Sequence, residues 1–263
     1  MRDTLFNKKE KHDTLIEWLS TPIKPFDIGW EGCNFLKPGR VVGIGGNPSS
    51  GKSMLVCQWT FEALRKNLDL KALMVCTGDL SRKDIYAREL GRQLKRSPNW
   101  ITEGSFAENN DDKNLVIDHW RDDFQFLDRL RFLETPFTDE DLREKISEAD
   151  DYQWIVIDYL QAISTGESRD RNTMVEKVLA SLMRLKDDKK LFILVSSLNR
   201  ANYGVDDMSA FKNCGDIEFW LDDGFILSGK DDLRKLAHVK SRHGVASDLN
   251  LRFKDLNFSI RGV

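Results

Sequence analysis

The sequence has no run near the roughly 20 apolar residues that would span a bilayer. Its first twelve residues, Met1 to His12, are charged and lack the apolar centre of an export signal. Its four cysteines (Cys33, Cys57, Cys76 and Cys214) make no C-x-x-C pair, and its four histidines make no H-E-x-x-H pattern. A redox pair and a zinc site are therefore not expected. Cys57 and Cys76 lie in apolar stretches and read as buried, reduced thiols, which fits a cytoplasmic protein without membrane contact. Positive charge is not in excess either: 40 Lys and Arg stand against 43 Asp and Glu. That balance argues against a basic coat for nucleic acid but leaves a local basic channel open. Repeats and low-complexity tracts are absent. What is present is 40% hydrophobic and 32% charged residues over 263 positions, enough for one large α/β domain with a full core. A function needing more domains must recruit partner chains or further copies.

Apolar patterning divides the chain. Residues 1–39 hold a short amphipathic stretch (Leu5, Phe6, Leu15, Ile16, Trp18, Leu19) and then Pro22 and Pro25, which break it from the rest of the chain. They read as an N-terminal helix and linker, the helix docking on a neighbour or packing on its own domain. Residues 40–263 read as the main domain. Within it, strands are expected at Val41–Gly45, Ala72–Cys76, Leu130–Leu133, Trp154–Ile157 and Phe192–Val195. Helices are expected over Met54–Leu64, from Ser81, from Thr138 with its cap partner Asp141 to about Ala149, and over Thr173–Leu185. Such alternation predicts a mostly parallel central sheet with helices on both faces. Closely spaced strands at Phe225–Leu227, Lys235–Val239, Leu249–Phe253 and Phe258–Ile260 predict an antiparallel C-terminal extension. Residues 98–128 read as an acidic surface excursion with some helix.

One motif carries explicit chemistry. Gly46-Asn47-Pro48-Ser49-Ser50-Gly51-Lys52-Ser53 matches G-x-x-x-x-G-K-[ST], between an apolar strand and a helix. In that pattern glycines allow close backbone approach to phosphate oxygens, and the loop amides and helix N-terminus supply positive potential. Lys52 reaches the outer phosphates, and the Ser53 hydroxyl ligates Mg²⁺. The strand Ile155-Val156-Ile157 ends in Asp158, a carboxylate at the same sheet edge that can hold the Mg²⁺ shell. Together they predict a P-loop site for ATP and Mg²⁺.

Further motifs narrow the use of that nucleotide. Asp158-Tyr159-Leu160-Gln161, Leu198-Asn199-Arg200, Gly215-Asp216-Ile217-Glu218 and Lys240-Ser241-Arg242 come after the phosphate loop in this order. In that order they resemble the C-terminal motor domain of the DnaB family of replicative helicases, over roughly residues 22–260. The resemblance implies a RecA-like fold, a homo-oligomeric, hexameric ring, and single-stranded DNA in its central hole. It implies that Lys240 and Arg242 reach a neighbour's γ-phosphate, with Arg242 as the arginine finger. It implies DNA contacts from Lys212, Asn213 and Gly215 in one loop, and from Arg169 and Arg171 in another.

Two positions depart from the family pattern. Where the family has a glutamate that polarises the attacking water, this sequence has Asp79, one methylene shorter. Where the family has a glutamine that links the γ-phosphate to the DNA loops, it has Ser197. The family's N-terminal collar domain also has no counterpart in residues 1–39. Three functions are therefore open: a DNA motor working in replication, with a separate replication protein as a further partner; a slowly hydrolysing ATP-binding loader, recombination mediator or regulator; and a small-molecule kinase, which would leave Leu198-Asn199-Arg200 and Lys240-x-Arg242 unexplained.

Overall fold

A computed structural model describes Ile16 and residues 20–76, 80–134, 138–163, 171–198 and 217–260. Its centre is a nine-stranded sheet. The strands are β1 (Val41–Gly46), β2 (Ala72–Cys76), β3 (Leu130–Glu134), β4 (Trp154–Asp158), β5 (Leu191–Ser197), β6 (Asp223–Ser228), β7 (Leu233–Ser241), β8 (Leu249–Lys254) and β9 (Asn257–Ile260). Their order across the sheet is β3-β2-β4-β5-β1-β6-β7-β8-β9. From β3 to β6 every pairing is parallel, and from β6 to β9 every pairing is antiparallel. The antiparallel extension therefore starts one strand later than its sequence spacing suggests: β6 is parallel to β1 and turns the sheet only through its hairpin with β7. The period-2 pattern of a strand records which face is buried and not which way the chain runs.

The helices are α1 (Lys52–Lys66), α2 (Arg82–Leu94), α3 (Pro98–Thr102), α4 (Asn110–Asp123), α5 (Asp139–Glu148), α6 (Arg171–Met183) and the one-turn α7 (Ile217–Trp220). Their starts obey local chemistry. Ser81 caps α2 through the amide of Asp84, whose carboxylate returns a bond to Ser81, and Thr138 and Asp141 do the same for α5.

Strand alternation sends side chains to two cores. On one face Val42, Ile44, Met74, Trp154 and Val156 pack with Leu55, Trp59 and Phe61 of α1. On the other, Val41, Val75, Ile155, Ile157 and Leu194 pack with Leu142 and Ile146 of α5 and with Val178 and Leu179 of α6. The segment before β1 adds Ile28, Phe35 and Leu36 to the first core. The acidic excursion also enters it. Phe124 and Phe126 are buried, and Trp120 stacks on Phe124 with ring centres 4.7 Å apart. Truncating Phe124 or Phe126 costs about 3–5 kcal/mol, so the segment is part of the fold and not only a solvated loop.

The tail is fastened to α1. Gln58, buried in that helix, donates to the Phe258 carbonyl at 2.7 Å and accepts from the Phe258 amide at 2.8 Å. A side-chain amide satisfied on both sides holds β9 over the start of α1. The extension thereby walls one side of the phosphate loop.

Candidate nucleotide site

β1 is buried along its whole length and delivers the chain to the carboxyl edge of the sheet at Gly46. Residues Asn47, Pro48, Ser49, Ser50 and Gly51 then turn into α1, whose first two residues are Lys52 and Ser53. Two glycines are sterically required here. A Cβ on Gly46 would lie 2.7 Å from both the Leu227 carbonyl and Ser50 Oγ. Gly51 has φ +101°, and its Cβ would meet Phe258 at 2.8 Å. The Lys52 ammonium folds back over the loop and donates to the carbonyls of Gly46 (2.9 Å) and Asn47 (2.8 Å). Burial lowers its pKa from the ordinary lysine value, and the Asp158 carboxylate opposes that shift. The cation and Asp158 thus feel each other across the site.

A cavity of about 470 Å³ opens over this loop. Ser49, Ser50, Gly51, Lys52 and Ser53 line one side, and Asp158 and Tyr159 at the end of β4 line another. The lining residues from outside the sequence motifs include Arg88 from α2, Arg234 from β7 and Phe253 from β8. The Arg234 guanidinium carbon sits 5.5 Å from the centre of the Phe253 ring. Only the seating of the extension on α1 brings the last two to the loop. The residues present fit a triphosphate with Mg²⁺. Lys52 is a partly desolvated cation, Ser50 Oγ is buried without a hydrogen-bond partner among the described residues, and the glycine cradle leaves no room for a Cβ. Lys52 and the loop amides would hold the phosphates, and Ser53 and Asp158 would hold the cation. Bound there, the cation would neutralise charge on the transferring phosphoryl group.

Between β1 and β4 lies β5. Its end is gripped by Gln161, whose amide nitrogen donates to Ser196 Oγ at 2.6 Å and whose oxygen accepts from the Ser197 amide at 3.4 Å. Gln161 belongs to the Asp-Tyr-Leu-Gln motif, and its closeness to Ser196 is visible only in the fold.

Lys240 and Arg242 lie at the other edge of the sheet. Ser241 pairs with Asp223, which in turn neighbours Val42, whereas the phosphate loop leaves β1 beside Leu227. At the usual strand rise, about 13 Å of β1 separates these two positions. Lys240 donates to the Glu218 carbonyl of α7, and Arg242 donates to the Phe219 carbonyl at 2.7 Å. Burial, then the charge of Arg242, lowers the pKa of Lys240. Asp79, Arg169, Lys212, Asn213 and Gly215 lie outside the described residues. Arg171 opens α6, with its side chain outside them as well.

A search of curated proteins finds no match. Solved structures do match in fold. A solved ATPase domain superposes with a TM-score of 0.79 at 14% identity, covering 98% of this chain and 99% of that one. A DnaB-like replicative helicase, studied together with its interactions with primase, superposes with a TM-score of 0.78 at 16% identity, covering 97% of this chain and 68% of that one. The fold is therefore the RecA-like one of DnaB-type ATPase domains. The family model described as "DnaB-like helicase C terminal domain" matches residues 19–257, nearly the whole chain, and the protein belongs to that family.

Proposed function

We propose that this chain is an ATP-driven motor on single-stranded DNA that works as a ring of identical copies in replication. ATP and Mg²⁺ bind over Gly46–Ser53, with Lys52 on the outer phosphates and Ser53 and Asp158 on the metal. Asp79 orients the attacking water. Arg242, assisted by Lys240, completes the site of the adjacent copy and stabilises charge developing on the γ-phosphoryl group. DNA contacts come from Lys212, Asn213, Gly215, Arg169 and Arg171, mainly to phosphates, so binding weakens with salt. A separate replication protein is a further partner, in keeping with the primase interactions of the similar helicase.

One observation carries this reading. The cation pair sits at the edge of the sheet opposite its own phosphate loop, which supports a role for Arg242 toward the phosphates of another copy. A second reading, a slow nucleotide-binding regulator, draws on Ser197. Ser197 offers a short hydroxyl where the family has a glutamine, and its amide donates to Gln161.

Mass measurement with and without ATP and single-stranded DNA, followed by ATPase assay of the same samples, separates the two. The motor gives oligomers with DNA-stimulated turnover, which Lys52→Ala removes and Arg242→Ala lowers by about 10³-fold or more. Oligomers without DNA-stimulated turnover sink the motor reading, and a monomer or dimer with slow turnover selects the regulator.

A further inference from the structure

Arg242 does not stand alone at its edge of the sheet. Asp222, 1% exposed, lies directly before β6 and is tied to the start of β1 on both sides. Its amide donates to the Val41 carbonyl at 2.8 Å, and its Oδ2 accepts from the Val41 amide at 2.9 Å. The same oxygen accepts from the Lys186 ammonium at 2.7 Å. The other oxygen, Oδ1, points the opposite way and meets Arg242 Nη1 and His243 Nε2, each at 3.3 Å. The Asp222 carbonyl also accepts from the Arg242 amide at 2.8 Å. Backbone and guanidinium of Arg242 are thus both held by one residue.

The two oxygens have different surroundings. Oδ2 is occupied by groups that fasten β6 to β1 and to the chain after α6. Oδ1 is met by the Arg242 guanidinium and the His243 ring, whose side chains are 44% and 47% exposed. A guanidinium that donates through Nη1 to a carboxylate and through Nη2 to the Phe219 carbonyl still has further N–H donors to turn outward. Such a charge must be aimed before it can act, and misplacement by about 1 Å costs as much as 100-fold in rate.

We propose that Asp222 is the positioning residue for Arg242, fixing the guanidinium to the first residue of β1 so that it faces an adjacent copy's nucleotide. The proposal rests on Arg242 acting in trans. β1 then sets both ends of the shared chemistry: its last residue opens the phosphate loop, and its first residue anchors, through Asp222, the cation offered to the neighbour.

Asp222→Asn tests this with little change of shape. If the amide keeps its oxygen toward Val41 and Lys186, it turns an N–H₂ toward Arg242 and His243, replacing an acceptor by a donor. In the full chain, Asp222→Asn is expected to assemble and to bind ATP with unchanged affinity while kcat with single-stranded DNA falls about tenfold or more. Lys186→Met is the control. It removes the partner of the inward oxygen, so it should lower the melting temperature yet leave kcat within about twofold. Two results would overturn the proposal: wild-type kcat in Asp222→Asn, or an equal loss of kcat in Lys186→Met, which would make the network merely structural. Arg242→Ala measured alongside separates the causes. Full turnover there sinks the trans reading and this inference with it. Lost turnover there, beside intact turnover in Asp222→Asn, sinks this inference alone.

Discussion

Glu89 and Asp222 are both buried acids that gather cations, and they use them differently. Glu89, in α2, accepts from Arg92 through both of its oxygens at 2.7 and 2.9 Å, and from Arg65 of α1 at 2.7 Å. Arg92 goes on to Glu62 of α1 and, through its third nitrogen, to Asn257 of β9. The side chains of Arg92 and Arg65 are only 8% and 19% exposed. Every bond of this network closes on the fold, joining α1, α2 and the C-terminal strand. Asp222 closes on the fold with one oxygen and meets the half-exposed Arg242 guanidinium and His243 ring with the other. A buried acid satisfied wholly from inside fastens elements together. One satisfied from inside on one side only can present a charge to something outside the chain.

The contrast is broken or kept first by Glu89→Ala. That change takes the buried carboxylate from Arg92 and Arg65, leaving the two to share Glu62, and should cost about 3–5 kcal/mol of stability, read from a denaturant midpoint. Asp222→Asn should cost about 1–3 kcal/mol, because the inward hydrogen bonds can persist. Equal losses would mean that Asp222 is as much a fastener as Glu89.

The pH dependence of stability sharpens the point. Burial alone would raise the Glu89 pKa, but the hydrogen bonds and charges of Arg92 and Arg65 outweigh it and hold the carboxyl below the ordinary value of 4.5. With a folded pKa below the unfolded one, its contribution is full above pH 4.5 and is lost as pH falls through the folded pKa. The stability difference between the protein and Glu89→Gln should therefore be constant near neutrality and shrink only in acid, as urea melts at several pH values would record. A difference that already shrinks at neutral pH would show that the Glu89 charge is not what the arginines stabilise.

How much of this is legible in the sequence depends on whether the residues concerned are neighbours in the chain. Gly46 to Ser53 are contiguous, because a phosphate loop is built by one turn, so its pattern survives in the sequence. The Ser81–Asp84 and Thr138–Asp141 caps are legible for the same reason. Arg88, Arg234 and Phe253 reach the cavity from three separate elements, and nothing in their spacing foretells it. Ile28, Phe35 and Leu36 read as linker because Pro22 and Pro25 precede them, yet they fill a core beside Trp59. Asp222 is the least legible of all. Its role depends on β6 running parallel to β1, which puts residues 41 and 222 side by side.

The smallest expected effect tests the contrast from the outer side. The Arg242–Asp222 pair is partly exposed at Arg242, and pairs of that kind contribute about 0–1 kcal/mol and weaken with salt. Arg242→Met should therefore change stability by less than about 1 kcal/mol at low ionic strength, and raising the salt should reduce that change. Arg92→Met, which leaves the buried Glu89 carboxylate with fewer partners, should cost several times more, and salt should change that cost little. Thermal melts of the two variants over a salt series give the comparison directly. A large, salt-insensitive loss in Arg242→Met would mean that the fold cannot spare this arginine. A small, salt-sensitive loss is what a cation aimed at another copy requires, because its hold on its own chain must be weak enough to share with a phosphate.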